Sequence, residues 1–357
     1  FRLNQTQTGK FVMTNLCYLS ANNALSEFKS KRLSPVELME AIISRAEGIT
    51  ATVNPFADTY FEKALAKARA AEKKYVQRSR TRALEGIPLA VKDASRIKGT
   101  RTTFGSLANA QNTDRTTDPS IHRLLSAGAI VFAKTTCPEF CWLFTCHSRM
   151  WGITRNPWRL DVTPGGSSGG SGAVLAAGAA TIATGSDSTG SIRQPAAQCG
   201  VVGYKAPYGR NPLDDNSSFD PYVHVGPMTR TVGDTALLQN IMSGPHPLDH
   251  NSLHQKVKIP ICDETNLDGC RIAFSMDLGH YEVVSDVARE SLETLDVLKD
   301  AGAEVDIIDV DWASEAIHLA HASEEFFFAG HLNEISKTHG DLLSDYVPEL
   351  VDTANSV

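Results

Sequence analysis

The chain has 357 residues, long enough to bury a large core, and its 34 basic and 41 acidic residues leave a net charge of −7. That balance argues against nucleic acid or an anionic membrane as the main partner. No apolar run reaches the roughly 20 residues that a membrane-spanning helix needs.

Along the chain, residues 1–12 carry no targeting pattern, and Met13-Thr14-Asn15-Leu16 reads as a natural start. Residues 1–12 are therefore expected to be a remnant of foreign or untrimmed upstream sequence. Ser34-Pro35-Val36-Glu37 is a capping box with proline at the first helical position, and it opens a helix expected to reach about Glu47. Ala57 to Val76 is predicted helical from composition and spacing. The basic residues from Lys63 to Arg82 fit the solvated face of that helix better than a binding patch. Ile87–Lys92 and Ile130–Lys134 are predicted strands. His122–Ala127 is predicted to be a helix stopped at Gly128.

Further on, Ser285–Ala301 is an amphipathic helix between predicted strands Arg271–Ser275 and Glu304–Ile308. After Ile308 only helices are expected, Ala313–Glu334 and Asp341–Ala354, with Phe326-Phe327-Phe328 as an apolar cluster that needs a packing partner. This alternation indicates an α/β fold. No linker, repeat or low-complexity break interrupts it.

Two glycine-flanked serines carry the strongest chemical signal. Ser167 lies in Gly165-Gly166-Ser167-Ser168-Gly169-Gly170-Ser171, and Ser191 lies 24 positions later in Gly190-Ser191-Ile192-Arg193. Glycine beside serine lets the backbone turn sharply and lets a substrate approach the main chain. Serine supplies a nucleophile and successive N–H groups supply an oxyanion hole. A serine needs a base, yet no histidine lies between His147 and His224. Lys92, closing the apolar run Ile87-Pro88-Leu89-Ala90-Val91, is the alternative, since burial favours the neutral form that a lysine base requires.

These segments resemble the amidase signature family. Gly86-Ile87-Pro88-Leu89-Ala90-Val91-Lys92-Asp93 is similar to its lysine motif. Arg155-Asn156-Pro157-Trp158 through Pro164 to Ser171 is similar to the entry to its cis-serine. Gly185-Ser186-Asp187 and Gly190 to Arg193, with Gln194-Pro195-Ala196 and Cys199 to Gly203, are similar to its nucleophile segment. His224 to Arg230 resembles the close of the signature region. The resemblance runs from about Ser34 to Leu238 and weakens beyond.

The resemblance implies a large mixed β-sheet sandwiched by α-helices, formed as one domain over 13–357 that lacks the usual C-terminal part of the family. It implies an amidohydrolase that cleaves a carboxylic amide C–N bond through an acyl-enzyme on Ser191. Ser167, on a cis peptide bond, and neutral Lys92 would relay protons. The oxyanion hole would be the backbone N–H groups of Ser188, Thr189, Gly190 and Ser191, with Ser168 in support. Cys141, Trp142 and Phe144 are candidates for lining the acyl pocket. The family commonly has glycine where this chain has Thr189. A β-branched residue is uncomfortable at positive φ, so either the backbone there does not need it or the loop is reshaped. No cofactor or metal is expected. The partner is a small amide, with nucleic acid and membrane excluded and a homo-oligomer left open. The alternative that the family offers is a glutaminase-type subunit of an amidotransferase complex.

Other patterns carry less. Cys137, Cys141, Cys146 and His147 crowd together, but their spacing misses the usual zinc patterns. Seven cysteines without a signal peptide predict free thiols in a reducing, cytoplasmic setting. His318, His321 and Glu325 lack a companion motif, and His246, His250 and His254 fall among loop residues. Gly165 to Gly169 formally matches G-x-S-x-G, but no strand precedes it. Ser95-Arg96-Ile97-Lys98 matches S-x-x-K without its companion motifs. The glycine-rich stretch lacks both the G-K-[ST] ending and the dinucleotide fingerprint.

Overall fold

The computed structural model describes residues 16–214, 220–260 and 266–355. The remnant expected at 1–12 lies outside the described residues, as do the side chains of 321, 324–331 and 353–355, including His321, Glu325 and the Phe326-Phe327-Phe328 cluster. The chain groups into two compact units, one of 1–260 with 337–348 and one of 261–336 with 349–357.

In the first unit, α1 (Ala21–Ser30) and α2 (Pro35–Val53) precede strand β1 (Phe56–Thr59) and helix α3 (Phe61–Val76). The predicted capping box is present: the Ser34 hydroxyl accepts from Val36 N and Glu37 N, and Ser34 N donates to Glu37 Oε2 at 2.9 Å. The helix runs a turn and a half beyond the predicted Glu47, to Val53, where Asn54 takes a left-handed φ of 52°. The helical prediction from Ala57 starts too early. Phe56–Thr59 pairs antiparallel with a later strand, so tertiary pairing overrides the local helical pattern in a four-residue stretch.

Strand β2 (Pro88–Lys92) is followed by α4 (Pro119–Ser126) and β3 (Ile130–Thr135). Proline at its first turn starts α4 three residues before the predicted His122. Next come the short hairpin β4 (His147–Ser148) and β5 (Gly152–Ile153), helix α5 (Gly169–Ala176), strand β6 (Ile182–Asp187) and α6 (Arg193–Cys199). The unit continues through β7 (Val202–Gly203), β8 (His224–Thr229) and α7 (Val232–Met242).

Six strands form one mixed sheet in the order β1-β3-β2-β6-β8-β7. β2 is parallel to both β3 and β6, whereas β1, β7 and β8 run antiparallel to their neighbours. Every residue of β2, β3 and β8 is buried. Continuous apolar runs suit such strands, because both faces of the sheet are covered. Helices α2 and α5 pack on β2, α3 on β3, and α7 on β8. The mixed α/β class expected from the sequence is the one observed.

In the second unit, β9 (Arg271–Phe274), α8 (Ser285–Asp300) and β10 (Glu304–Ile307) form a β-α-β unit with parallel strands, in register from Arg271 opposite Glu304. Helices α9 (Ala313–His339) and α10 (Tyr346–Asn355) follow, in line with the helical prediction after Ile308. No described helix is long and apolar enough to cross a membrane.

Candidate active site

Central position in the sheet decides where Lys92 points its chemistry. β2 lies between β3 and β6, paired Lys92 to Thr135 on one side and Ala90 to Ala183 on the other. Lys92 is the last residue of β2, and its side chain is fully buried. Its Nζ donates to Ser167 Oγ at 2.7 Å and to Ser186 Oγ at 2.8 Å. A buried lysine needs such partners, because a polar group left without a hydrogen bond away from water is costly. Ser186 comes from the end of β6, which runs parallel to β2 and so finishes on the same side of the sheet.

Ser167 precedes α5, and the Gly166–Ser167 peptide bond is cis. The surrounding glycines are demanded by contact. A Cβ on Gly166 would strike the backbone of Leu143 to Thr145, and one on Gly170 would meet Thr136 N at 2.5 Å. Ser168 ties the two serine segments together. Its N–H donates to Ser191 O at 3.1 Å, its hydroxyl donates to Ser186 O at 3.2 Å, and it accepts from Ser186 N at 3.3 Å. The structure thus brings Lys92, Ser167, Ser168, Ser186 and the Ser191 backbone together. Among the described residues, no direct hydrogen bond links the Ser191 hydroxyl to Ser167 or Lys92.

The loop between Asp187 and Arg193 is wrapped around a carboxylate. Asp187 accepts from Gly190 N at 2.9 Å, Ile192 N at 3.0 Å and Arg193 N at 3.2 Å, and from the Arg193 guanidinium at 3.0 and 2.8 Å. Burial pushes the Asp187 carboxyl up. Hydrogen bonds and charge from Arg193 more than reverse this, so it stays below the usual carboxylate range. The Gly190 N–H is therefore already committed to Asp187. Thr189 does not take a positive φ; within this loop the positive value, 140°, falls on Gly190. The threonine is thus tolerated without left-handed strain.

The turn carrying the pocket candidates stands against this machinery. Residues Glu139–Cys141 form a 3-10 turn in which Phe140 and Cys141 are left-handed, with φ of 51° and 63°. Cys137 and Lys92 hold the Cys141 thiol at about 6, below the usual thiol range, against the burial that would raise it. Trp142 follows on the turn, half-buried, its N–H bonded to Glu139 O at 3.3 Å. Phe144 is half-exposed, and its ring edge lies over Gly190: a Cβ there would meet Phe144 Cε1 at 3.9 Å. Cys146 and His147 do not join Cys137 and Cys141 in a cluster able to hold a metal, and no such group occurs among the described residues.

Sequence reasoning quoted Ser186 and Asp187 within a motif but gave neither a task. It also missed two buried charges that shape the site. Lys134, on β3 beside Val91, is fully buried, donates to Ser95 O at 2.6 Å and to the Thr102 hydroxyl, and lies 4.0 Å from both Asp93 and Asp114. Glu139 is equally buried and accepts from Ser106 Oγ at 2.5 Å and Ser344 N at 2.6 Å. An isolated charged residue inside an apolar strand was the available signal for Lys134. For Glu139 no local signal exists, because Ser344 lies 205 positions away.

Known proteins with similar sequences are amide-cleaving or amide-transferring enzymes. An acylamidase of Rhodococcus erythropolis is 33% identical over 302 residues, covering 84% of this chain and 63% of the relative. A glutamyl-tRNA(Gln) amidotransferase subunit of Gloeobacter violaceus is 37% identical over 287 residues, covering 78% of this chain and 58% of the relative. The crystal structure of a bacterial aryl acylamidase of the amidase signature family superposes with a TM-score of 0.88 at 25% identity, covering 95% of this chain and 73% of that one. The chain spans about three fifths of the length of the curated relatives it matches. Residues 37–352 match the family profile described as Amidase, and the chain belongs to that family.

Proposed function

We propose that the chain is an amidohydrolase in which Ser191 is acylated, Ser167 relays protons and Lys92, as the free amine, is the terminal base. The observation that carries this reading is the 2.7 Å hydrogen bond between Lys92 Nζ and Ser167 Oγ, made in a buried site one hydrogen bond away from the Ser191 backbone. In acylation, Ser191 Oγ bonds to the amide carbon while its proton passes through Ser167 to Lys92. Charge developing on the carbonyl oxygen is met by backbone N–H groups of the 188–191 loop, for which Ser188, Thr189 and Ser191 are the candidates once Gly190 is bonded to Asp187. The C–N bond then breaks, and the proton returns through Ser167 to the leaving nitrogen. Water repeats the sequence on the ester, giving a carboxylic acid and free Ser191.

Phe144, over Gly190, and Cys141, on the left-handed turn that precedes it, are assigned to the acyl side of the pocket, with Trp142 at its margin. The similarity to acylamidases supports an acyl amide as substrate. A fluorophosphonate probe followed by peptide mapping tests the assignment. Label on Ser191, absent from Ser191→Ala, supports it; label on Ser167 or Ser95 overturns it.

The second reading, a glutaminase-type component of an amidotransferase, draws on the 37% identity to the glutamyl-tRNA(Gln) amidotransferase relative. Turnover of simple aryl or aliphatic amides by the isolated chain favours the free hydrolase. Glutamine turnover that appears only in a heteromeric complex favours the amidotransferase component.

A further inference from the structure

Ser167 stands between two backbone N–H groups, and both are tied to the segment that carries Ser191. On one side, the buried Gly166 donates its N–H to Gln194 Oε1 at 3.1 Å. On the other, Ser168 N donates to Ser191 O at 3.1 Å. The two segments also meet through the main chain. A Cβ on Gly165, whose φ is 84°, would strike Pro195 Cα at 2.9 Å and Pro195 N at 3.0 Å, so glycine is what lets the Ser167 loop lie this close to the start of α6.

Gln194 is itself held in place. It is the second residue of α6, and its N–H donates to Gly190 O at 2.7 Å. The N–H groups of Ile192 and Arg193 just before it donate to the Asp187 carboxylate. One residue therefore grips the loop ahead of Ser191 with its backbone and the loop ahead of Ser167 with its side chain.

We propose that Gln194 is a positioning residue, whose Oε1 fixes the Gly166–Ser167 segment relative to Ser191 so that Ser167 can pass the Ser191 proton to Lys92. The catalytic half of this inference rests on the amidohydrolase reading; the tether itself does not.

A relay has two ends to satisfy. The Lys92 end is set by the sheet, since Lys92 closes a central strand and reaches Ser167 Oγ at 2.7 Å. The Ser191 end lies beyond β6, on a loop outside the sheet, and needs its own alignment. Proton transfer requires heavy atoms about 2.6–3.2 Å apart, and a misplacement of about 1 Å can cost roughly 100-fold in rate. The Ser168–Ser191 hydrogen bond fixes one point and leaves the loop free to pivot about it. The Gly166–Gln194 hydrogen bond, on the far side of Ser167, supplies the second point and sets the orientation. Without the Gln194 oxygen, a buried N–H is left unpaired, and the loop must shift to find another acceptor.

Steady-state kinetics on an aryl amide, together with hydrogen exchange at the Gly166 amide followed by mass spectrometry of peptides, test this on the full chain. Gln194→Met keeps the length of the side chain and removes the acceptor. Its kcat should fall by roughly 10- to 100-fold with KM little changed, and the Gly166 amide should lose protection. Gln194→Glu, whose carboxylate still accepts, should recover most of both losses; Gln194→Ala takes the place of the methionine variant if that one folds poorly. Lost protection with kcat unchanged overturns the positioning role. So does a loss of kcat that Gln194→Glu does not recover, because the acceptor is then not what matters. Unchanged protection in Gln194→Met overturns the tether. A parent chain that turns over no amide, yet whose Gly166 protection depends on Gln194, sinks the amidohydrolase reading and leaves the tether standing.

Discussion

Lys92 Nζ donates to Ser167 Oγ across 2.7 Å, joining the end of a central strand to the loop that enters α5, 75 residues away in sequence. Removing either end should be felt in turnover rather than in folding alone. Lys92→Ala should lower kcat by about 100- to 10,000-fold, the usual contribution of a positioned acid–base group. Ser191→Ala should abolish turnover, and Ser167→Ala should leave a trace carried by bridging water. Steady-state kinetics on an aryl amide check this; full activity in Lys92→Ala would remove the lysine from the mechanism.

Ser186 holds the same Nζ from the other side at 2.8 Å. Ser186→Ala removes one of two side-chain hydrogen bonds to Lys92 and leaves Ser167 in place. A hydrogen bond between neutral groups is worth about 0.5–1.5 kcal/mol, so kcat should fall by roughly 2- to 10-fold with KM little changed. Ser186→Thr should restore most of the loss. A Ser186→Ala enzyme as active as the parent would mean that Ser167 alone holds the lysine.

How much of this could be read from the sequence depended on distance along the chain. The capping box at Ser34 was legible because its four residues satisfy one another. Strands β2 and β3 were legible as apolar runs, and the glycine–serine segments announced Ser167 and Ser191 by composition. The task of Ser186 was not legible, because it follows from parallel pairing of β2 with β6, which aligns residues some 90 positions apart. Strand β1 was lost for the same reason, its four residues being set by pairing with β3. Thr189 was a sequence puzzle that the structure resolves, since the positive φ falls on Gly190.

Glu139 ties the pocket turn to the segment around Tyr346. Its carboxylate accepts from Ser106 and Ser344, and its N–H donates to Tyr346 Oη at 2.9 Å. Glu139→Gln puts an amide nitrogen where an acceptor is needed, leaving a buried donor unpaired at a cost of about 1–3 kcal/mol. Denaturant unfolding should show that loss. KM should rise as well, because Cys141 and Phe144 lie on or just beyond this turn. A stability loss without any change in KM would limit Glu139 to scaffolding.

Lys134 faces two carboxylates at 4.0 Å with no water access. Burial pushes the Lys134 ammonium down and the Asp93 carboxyl up, with their mutual attraction opposing both shifts. Lys134→Met leaves Asp93 and Asp114 buried without their cation, and should destabilise the fold by about 3–5 kcal/mol. Adding Asp93→Asn should return part of that. Chemical denaturation of the single and double variants decides, and strict additivity would show that the two groups do not interact.

Glu85 sits just before β2 and accepts from Lys74 Nζ at 3.0 Å and from Arg82 Nε at 2.6 Å. Burial alone would push its carboxyl up, but the hydrogen bonds from Arg82 and Lys74 more than reverse this and hold it down at about 2, against an ordinary 4.5. The folded state therefore binds this proton less tightly than the unfolded chain does. Stability from Glu85 is fully present above the unfolded value, shrinks as pH falls below about 4.5, and is gone below the folded value of about 2. Both cations are substantially exposed, so the contribution is modest. Glu85→Gln should lower Tm by a few degrees at pH 7, and the gap to the parent should close as the pH is lowered through the carboxylate range. Comparing the two proteins at each pH cancels the other titrating groups, which both share. A gap that stays constant from neutral pH down to about 3 would mean that the charge on Glu85 does not stabilise the start of the strand that carries Lys92.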